Sequence, residues 1–136
     1  LVRVHNSIVA DALAAFAGKQ VKHTGDGIMA SFLTTSAAVE CAIAIQRAVE
    51  EHGDPQLQVH VGLNAGEPVA EDADLYGTAV QLARRICDYG GPGEILTSNV
   101  VRELAAGKGF LFAERDVAVL RGFEDPVRLY EVRWEE

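Results

Sequence analysis

The chain has 136 residues with 12 basic and 20 acidic side chains, giving a formal net charge of -8 at pH 7. That length predicts one domain with one hydrophobic core, and a hydrophobic fraction of 49% indicates a folded chain rather than a disordered one. The acidic charge argues against a protein that works by neutralising nucleic acid or anionic lipid. No apolar run approaches the roughly 18 residues of a membrane-spanning helix, so we expect no membrane contact.

Apolar side chains recur at helical and strand periods along the whole sequence. Spacings of three and four residues predict helices over 1–17, 37–51 and 78–89, and a short helix capped by Thr97 or Ser98. Short or alternating apolar runs predict strands over 57–63, 94–96, 110–112, 117–120 and 127–132, and a short return strand over 68–70 that follows a turn at 64–67. This order predicts an α+β fold, a ferredoxin-like α/β sandwich with helices packed on a mainly antiparallel sheet.

Two cysteines, Cys41 and Cys87, lie far apart on the apolar stripes of predicted helices. Neither belongs to a CxxC pair or has a histidine at metal-binding spacing, so both are predicted to be free buried thiols. Free thiols suit a reducing compartment, and we expect a cytoplasmic protein. His60 is predicted to point outward from a strand, away from other metal-type ligands.

A further hairpin is predicted over 21–32, where two short apolar strands flank a Gly-Asp pair. With Gly25 in the first central position, a two-residue type II′ turn would hold the Asp26 carboxylate at the tip. Lys22 lies on the strand that leads in, and a carboxylate beside a cation can begin a metal and phosphate site. Gly-Asp-Gly is also a common plain turn, and the stretch alone favours that reading.

A polar ridge on the helix predicted over 78–89 is formed by Gln81, Arg85 and Asp88, at positions i, i+4 and i+7. An arginine one turn beyond an amide can present a fork of donors to a phosphate group. The alternative is an ordinary solvated helix face, which is the commoner reason for such a pair.

Four blocks of sequence stand in a characteristic order and together closely resemble the class III nucleotidyl cyclase catalytic domain. They are VKHTGDG at 21–27, VGLNAGE at 61–67, DLYGTAVQLARR at 74–85 and RGFEDPVRLY at 121–130. The resemblance covers essentially the whole chain. It identifies residues 1–136 as a cyclase catalytic domain, and we expect this piece to lack the first strand and the start of the first helix.

The resemblance implies conversion of a nucleoside triphosphate to a 3′,5′-cyclic monophosphate and pyrophosphate, for cyclic-nucleotide signalling. The family works as a head-to-tail dimer, with each site between subunits and two Mg²⁺ or Mn²⁺ ions held by two aspartates, the second of which matches Asp26. Lys22 and Asp74 match the base-recognising pair of adenylate cyclases, whereas guanylate cyclases generally carry Glu and Cys there. Arg85 matches the charge-stabilising arginine. The implied partners are therefore ATP and a second copy of the chain.

Physical chemistry agrees with these implied roles. Carboxylate oxygens suit Mg²⁺ or Mn²⁺, and two bound ions activate a ribose hydroxyl while holding a triphosphate. Charge that develops on phosphoryl oxygens needs a fixed cation, which Arg85 can supply. Asp74 can accept from the adenine amino group while Lys22 donates to a ring nitrogen.

Two departures from the family pattern leave a second interpretation open. The helper asparagine, seven residues after the base-recognising aspartate, is Gln81 here, and a displacement of about 1 Å can cost roughly a hundredfold in rate. The first metal aspartate belongs to a strand that would precede Leu1, so we expect the 136 residues alone to be inactive. The alternative is a degenerate cyclase-like module that binds nucleotide or dimerises to regulate a fused domain.

Overall fold

The computed structural model describes residues 2–23, 27–71 and 74–135. Its helices are α1 (Val2–Ala15), α2 (Thr35–His52), α3 (Thr78–Tyr89) and α4 (Asn99–Leu104). Its strands are β1 (Lys19–His23), β2 (Ile28–Ser31), β3 (Val61–Leu63), β4 (Val69–Glu71), β5 (Asp74–Tyr76), β6 (Ile95–Ser98), β7 (Phe112–Ala118) and β8 (Val127–Val132). Among the described residues, no helix is both long enough and apolar enough to cross a membrane.

The central sheet has four strands in the order β3-β6-β8-β7. β3 and β6 run parallel, while β6–β8 and β8–β7 are antiparallel, so the predicted α+β fold with a mainly antiparallel sheet is confirmed. Two separate ribbons, β1–β2 and β4–β5, are each antiparallel pairs outside this sheet. The helix α3 packs against β3 and β6, and α4 packs against β6 and β8.

The core lies on both sides of α2. Cys41, Ile45 and Val49 pack with α1, whereas Val39 and Ala42 pack with β6, α4 and β8. A third cluster joins α3 to the sheet and consists of Ile86, Leu96, Ala118, Leu120 and Leu129. Thr34 caps α2, because its side-chain oxygen accepts a hydrogen bond from the backbone N of Ala37 at 3.2 Å.

The predicted strand over 57–63 is shorter than the alternation of apolar residues suggested. Leu57 is buried as predicted, but only Val61–Leu63 pairs with another strand. The Val59 carbonyl accepts instead from the side-chain amide of Gln46 and from the backbone N of Gly93, both at 2.9 Å. These hydrogen bonds satisfy the Val59 carbonyl without a neighbouring strand.

Strand pairing corrects two further expectations. The return strand predicted over 68–70 pairs with β5 rather than with β3, which brings Val69 opposite Tyr76. The strands predicted over 110–112 and 117–120 are one strand, β7, with an irregular register between Glu114 and Asp116. A bulge absorbs the extra residue there, so the charged stretch continues the edge strand instead of ending it.

The two cysteines differ in their surroundings. Cys41 is buried as predicted, and burial raises the pKa of its thiol to about 11. Cys87 is only partly buried, and its sulfur donates to the His60 carbonyl at 3.6 Å. His60 is exposed, yet its ring is not isolated, because Nδ1 donates to the Cys87 carbonyl at 2.7 Å. The Cys87 sulfur also lies 3.5 Å from His60 Nδ1, so the expectation that no metal-type ligand lies near His60 was wrong.

Candidate functional site

Lys22 and Asp74, predicted from the sequence as a base-recognising pair, lie in direct contact. The Lys22 ammonium on β1 donates to Asp74 Oδ2 on β5 at 2.8 Å, across 52 residues of sequence. The Lys22 side chain is 44% exposed and that of Asp74 is 20% exposed. The pair therefore lies at the surface, where another molecule can reach it.

The Asp74 carboxylate is surrounded by donors. Lys22 contacts Oδ2, and the backbone N of Leu75 donates to Oδ1 at 2.7 Å. The Lys22 hydrogen bond is the main reason that the pKa of Asp74 lies below its usual value, with smaller contributions from Leu75 and the Tyr76 side chain; partial burial acts in the opposite direction. At neutral pH the group is thus ionised and can only accept hydrogen bonds.

Gln81 and Arg85 lie on α3, where the sequence predicted a polar ridge. Gln81 is exposed, and its backbone N donates to Gly77 O at 3.1 Å in the first turn. Arg85 is partly buried, and its Nη1 contacts Asp88 Oδ2 at 3.1 Å. The ridge is therefore present, but within the described residues the ion pair of Arg85 is with Asp88 and not with Asp74.

Close backbone packing holds α3 on the sheet. A Cβ added at Gly62 on β3 would lie 2.3 Å from the backbone N of Cys87, so only glycine allows this approach. A Cβ at Gly66 would likewise lie 2.7 Å from Ala79 Cβ. These glycines belong to the block at 61–67 that resembles the cyclase family, and their packing positions the helix that carries Gln81 and Arg85.

Asn64 is a structural anchor that the sequence reasoning missed. Its Nδ2 donates to the Ala79 carbonyl in α3 at 3.0 Å, and its Oδ1 accepts from Ser98 Oγ at 2.7 Å. Ser98 also caps α4. One amide therefore ties together the ends of β3 and β6 and the start of α3. A polar residue directly after a partly buried strand was the available signal, but the sequence contains no indication of which groups it would contact.

Asp26, the predicted metal ligand, lies outside the described residues, as does the predicted two-residue turn. The described part of the chain contains no group of three or more His, Cys, Asp or Glu side chains that could hold a metal ion. A carboxylate is a suitable donor for Mg²⁺ or Mn²⁺, so the chemistry of Asp26 fits such an ion. The Asp74 carboxylate is already engaged by Lys22 and by the backbone N of Leu75.

The chain matches a known protein family over almost its whole length. The profile of the adenylate and guanylate cyclase catalytic domain matches residues 1–133. The chain belongs to this family. Recognition of the cyclase pattern in four separated blocks of sequence is therefore confirmed.

Named relatives of this cyclase domain include two bacterial proteins. Putative adenylate cyclase 3 of Rhizobium meliloti (strain 1021) is 32% identical over 119 residues, which cover 83% of this chain and 20% of the relative. The pH-sensitive adenylate cyclase MT1302 of Mycobacterium tuberculosis (strain CDC 1551 / Oshkosh) is 26% identical over 118 residues, covering 83% of this chain and 29% of the relative. The cyclase domain thus spans well under half of these relatives' length.

Solved structures show the same fold. The adenylate/guanylate cyclase/hydrolase of Silicibacter pomeroyi superposes with a TM-score of 0.86 at 31% identity, covering 92% of this chain and 76% of that one. The catalytic core of a rhodopsin-guanylyl cyclase with converted specificity, solved with ATPalphaS, superposes with a TM-score of 0.84 at 21% identity, covering 96% and 79%. Both agree with the α+β architecture described above.

Proposed function

We propose that this cyclase domain converts ATP to 3′,5′-cyclic AMP and pyrophosphate for cyclic-nucleotide signalling. The observation that carries this proposal is the contact between Lys22 and Asp74, which places a fixed donor beside a fixed acceptor. We further propose that it acts in the cytoplasm as a head-to-tail homodimer that uses Mg²⁺ or Mn²⁺. A partner subunit would complete the site, since the Lys22–Asp74 pair is open to solvent.

The polarity of the pair fits adenine. Adenine presents an amino group, which donates, next to a ring nitrogen, which accepts. Ionised Asp74 can accept from the amino group while Lys22 donates to the ring nitrogen. Guanine in the same orientation presents a carbonyl oxygen to the carboxylate and an N–H to the ammonium, so both contacts become repulsive. The pair therefore favours ATP over GTP.

In the proposed reaction the ribose 3′-hydroxyl loses its proton to solvent and its oxygen attacks the α-phosphorus. A new P–O bond forms there, the bond from the α-phosphorus to the bridging oxygen breaks, and pyrophosphate leaves. Arg85 stabilises negative charge on the phosphoryl oxygens once its guanidinium turns from Asp88 toward the substrate. The Gln81 amide, exposed one turn before Arg85, orients the ribose. When bound, Mg²⁺ or Mn²⁺, with Asp26 as one proposed ligand, would lower the pKa of the ribose 3′-hydroxyl and neutralise charge on the triphosphate.

Nucleotide selectivity tests this proposal. The full-length protein is assayed with Mn²⁺ and saturating ATP or GTP, and the cyclic product is measured by chromatography. We expect cyclic AMP as the main product, and a shift toward cyclic GMP in the double variant Lys22→Glu with Asp74→Cys. Absence of product from both nucleotides would overturn the enzyme assignment. Undiminished activity in Asp26→Ala would instead overturn the metal-ligand assignment alone.

The second candidate, a degenerate module that binds nucleotide without turning it over, is favoured by Gln81 at the position of the family's asparagine. Gln81→Asn shortens the side chain by one methylene and keeps the amide. In a working cyclase it raises kcat, by up to about a hundredfold if the longer side chain is misplaced by roughly 1 Å. Gln56→Asn, an exposed glutamine before β3, is the control. A module that binds ATP and stays inactive in Gln81→Asn is degenerate.

A further inference from the structure

The proposed base-recognition pair joins two strands that do not share a sheet. Lys22 belongs to the β1–β2 ribbon and Asp74 to the β4–β5 ribbon, and among the described strands these ribbons are not hydrogen-bonded to each other. Backbone ladders therefore hold each ribbon together but do not set the distance between them. That distance depends on side-chain contacts.

Tyr76 provides a second contact between the ribbons. It lies two residues after Asp74 on β5, so both side chains leave the same face of the strand. The Lys22 ammonium lies 5.8 Å from the centroid of the Tyr76 ring, within range of a cation–π interaction. Lys22 thus contacts one strand face twice, through the carboxylate at 2.8 Å and through the ring.

The surroundings of Tyr76 do not suggest a packing role. Its side chain is 49% exposed, and it belongs to none of the three core clusters formed by the described residues. Its cross-strand neighbour, Val69, is exposed as well. Within the described residues, the Tyr76 ring lies beside the Lys22 ammonium, and its side chain helps to lower the pKa of Asp74.

We infer that Tyr76 is a positioning residue that holds Lys22 and Asp74 in the geometry that distinguishes adenine from guanine. This inference rests on the proposed function of that pair. Lysine is a flexible four-carbon chain, whereas tyrosine has only two side-chain torsions and forms a rigid platform. The ring limits where the ammonium can lie, and the Tyr76 side chain also helps to keep the Asp74 carboxyl ionised, because it lowers the pKa of that group. Both effects keep donor and acceptor at a constant separation.

Two substitutions separate the ring from the hydroxyl. Tyr76→Leu removes both, and Tyr76→Phe removes only the hydroxyl. In the full-length protein we expect the ratio of kcat/KM for ATP to that for GTP to fall about three- to tenfold in Tyr76→Leu and about two- to threefold in Tyr76→Phe. Only kcat/KM for ATP should fall, because guanine makes no favourable contacts with Lys22 and Asp74 in the same orientation.

Tyr89 is a matched control. It is 42% exposed, close to Tyr76, and its hydroxyl also donates to an aspartate, Asp116 Oδ2, at 3.0 Å. Tyr89→Leu and Tyr89→Phe therefore make the same chemical changes at the far end of α3. We expect the selectivity ratio in both to stay within about twofold of the unmodified protein, as for surface substitutions away from a site.

A second readout does not depend on turnover. Carboxyl NMR titration follows Asp74 directly, and both Tyr76 variants raise its pKa toward the ordinary value, most in Tyr76→Leu, while the Tyr89 variants leave it unchanged. An unchanged selectivity ratio together with an unchanged Asp74 titration in Tyr76→Leu would overturn the inference. A shifted titration in a protein that makes no cyclic nucleotide would overturn the proposed function while upholding the positioning of Lys22 and Asp74.

Discussion

The central sheet and the two ribbons hold their parts of the proposed site by different forces. Gln81 and Arg85 lie on α3, which is pressed onto β3 so closely that Gly62 leaves no space for a methyl group. Lys22 and Asp74 lie on ribbons whose mutual contact is an exposed ion pair and an aromatic ring. Helix position is thus determined by steric exclusion, whereas the separation of Lys22 and Asp74 is determined by charge and by the Tyr76 ring.

Because of this difference, we expect the stability of the fold and the nucleotide selectivity to depend on different parts of the chain. All four residues of β6 are buried, while those of β2 are only partly buried and most of β1 is exposed. Changes at the sheet should therefore unfold the protein, and changes at the ribbons should alter nucleotide preference with little cost in stability. Three stability measurements test that separation, from the largest expected effect to the smallest.

The largest effect is expected for Leu96→Ala in β6. Leu96 is 0% exposed, and its removal leaves a cavity beneath α3, which should lower the free energy of unfolding by about 2–5 kcal/mol. Leu33→Ala is the control, because Leu33 is fully exposed after β2 and its loss should cost less than about 0.5 kcal/mol. Urea unfolding measures both. Equal costs at the two leucines would contradict the proposed separation.

An intermediate effect is expected for Gly62→Ala. The new methyl group would lie 2.3 Å from the backbone N of Cys87, so α3 must move away from β3 at a cost of about 1–3 kcal/mol. Because α3 carries Arg85, kcat should fall as well. Gly91→Ala, whose Cβ would lie 3.4 Å from the flexible Glu94 side chain, is the control and should stay within about 0.5 kcal/mol. Unchanged stability in Gly62→Ala would show that α3 tolerates displacement.

The smallest effect is expected for Asp74→Asn. The folded pKa of Asp74 lies below its unfolded value, so its carboxylate adds stability above the ordinary carboxyl pKa of about 3.9. This contribution disappears as the pH falls through the folded value. The urea-unfolding midpoint of Asp74→Asn should therefore be slightly lower than that of the unmodified protein at pH 7. The two midpoints should converge below pH of about 3.9.

Lys22→Met provides the control for that pH dependence. Lys22 is the main cause of the lowered pKa, so above pH of about 3.9 the stability difference between Asp74 and Asn should shrink when both are compared in a Lys22→Met background. If the stability difference between Asp74 and Asn keeps its full size without Lys22, the lowered pKa of Asp74 would be due to Leu75 or Tyr76 instead. That result would weaken the view of the ribbons as joined by charge.

Local sequence patterns determined much of this protein. Helical spacing of apolar residues located α2 and α3 to within two residues at each end. The 3.6-residue period and the residues that begin and end a helix, such as Thr34 and Gly90, act within a few residues of the chain. Ordered motif blocks indicated the cyclase family before any contact was known. Lys22 and Asp74 were likewise named from those blocks, although they are separated by 52 residues.

Tertiary structure decided the partners. The residues 57–60 were expected to pair as a strand, but the Val59 carbonyl accepts from Gln46 and Gly93 instead. The return strand over 68–70 was expected to follow β3 as its partner, but it pairs with β5. Arg85 contacts Asp88 in this state. A strand's sequence specifies which face is apolar, but its hydrogen-bonding edges are chemically alike. Which edge or side chain meets it therefore depends on how the distant parts of the chain pack together.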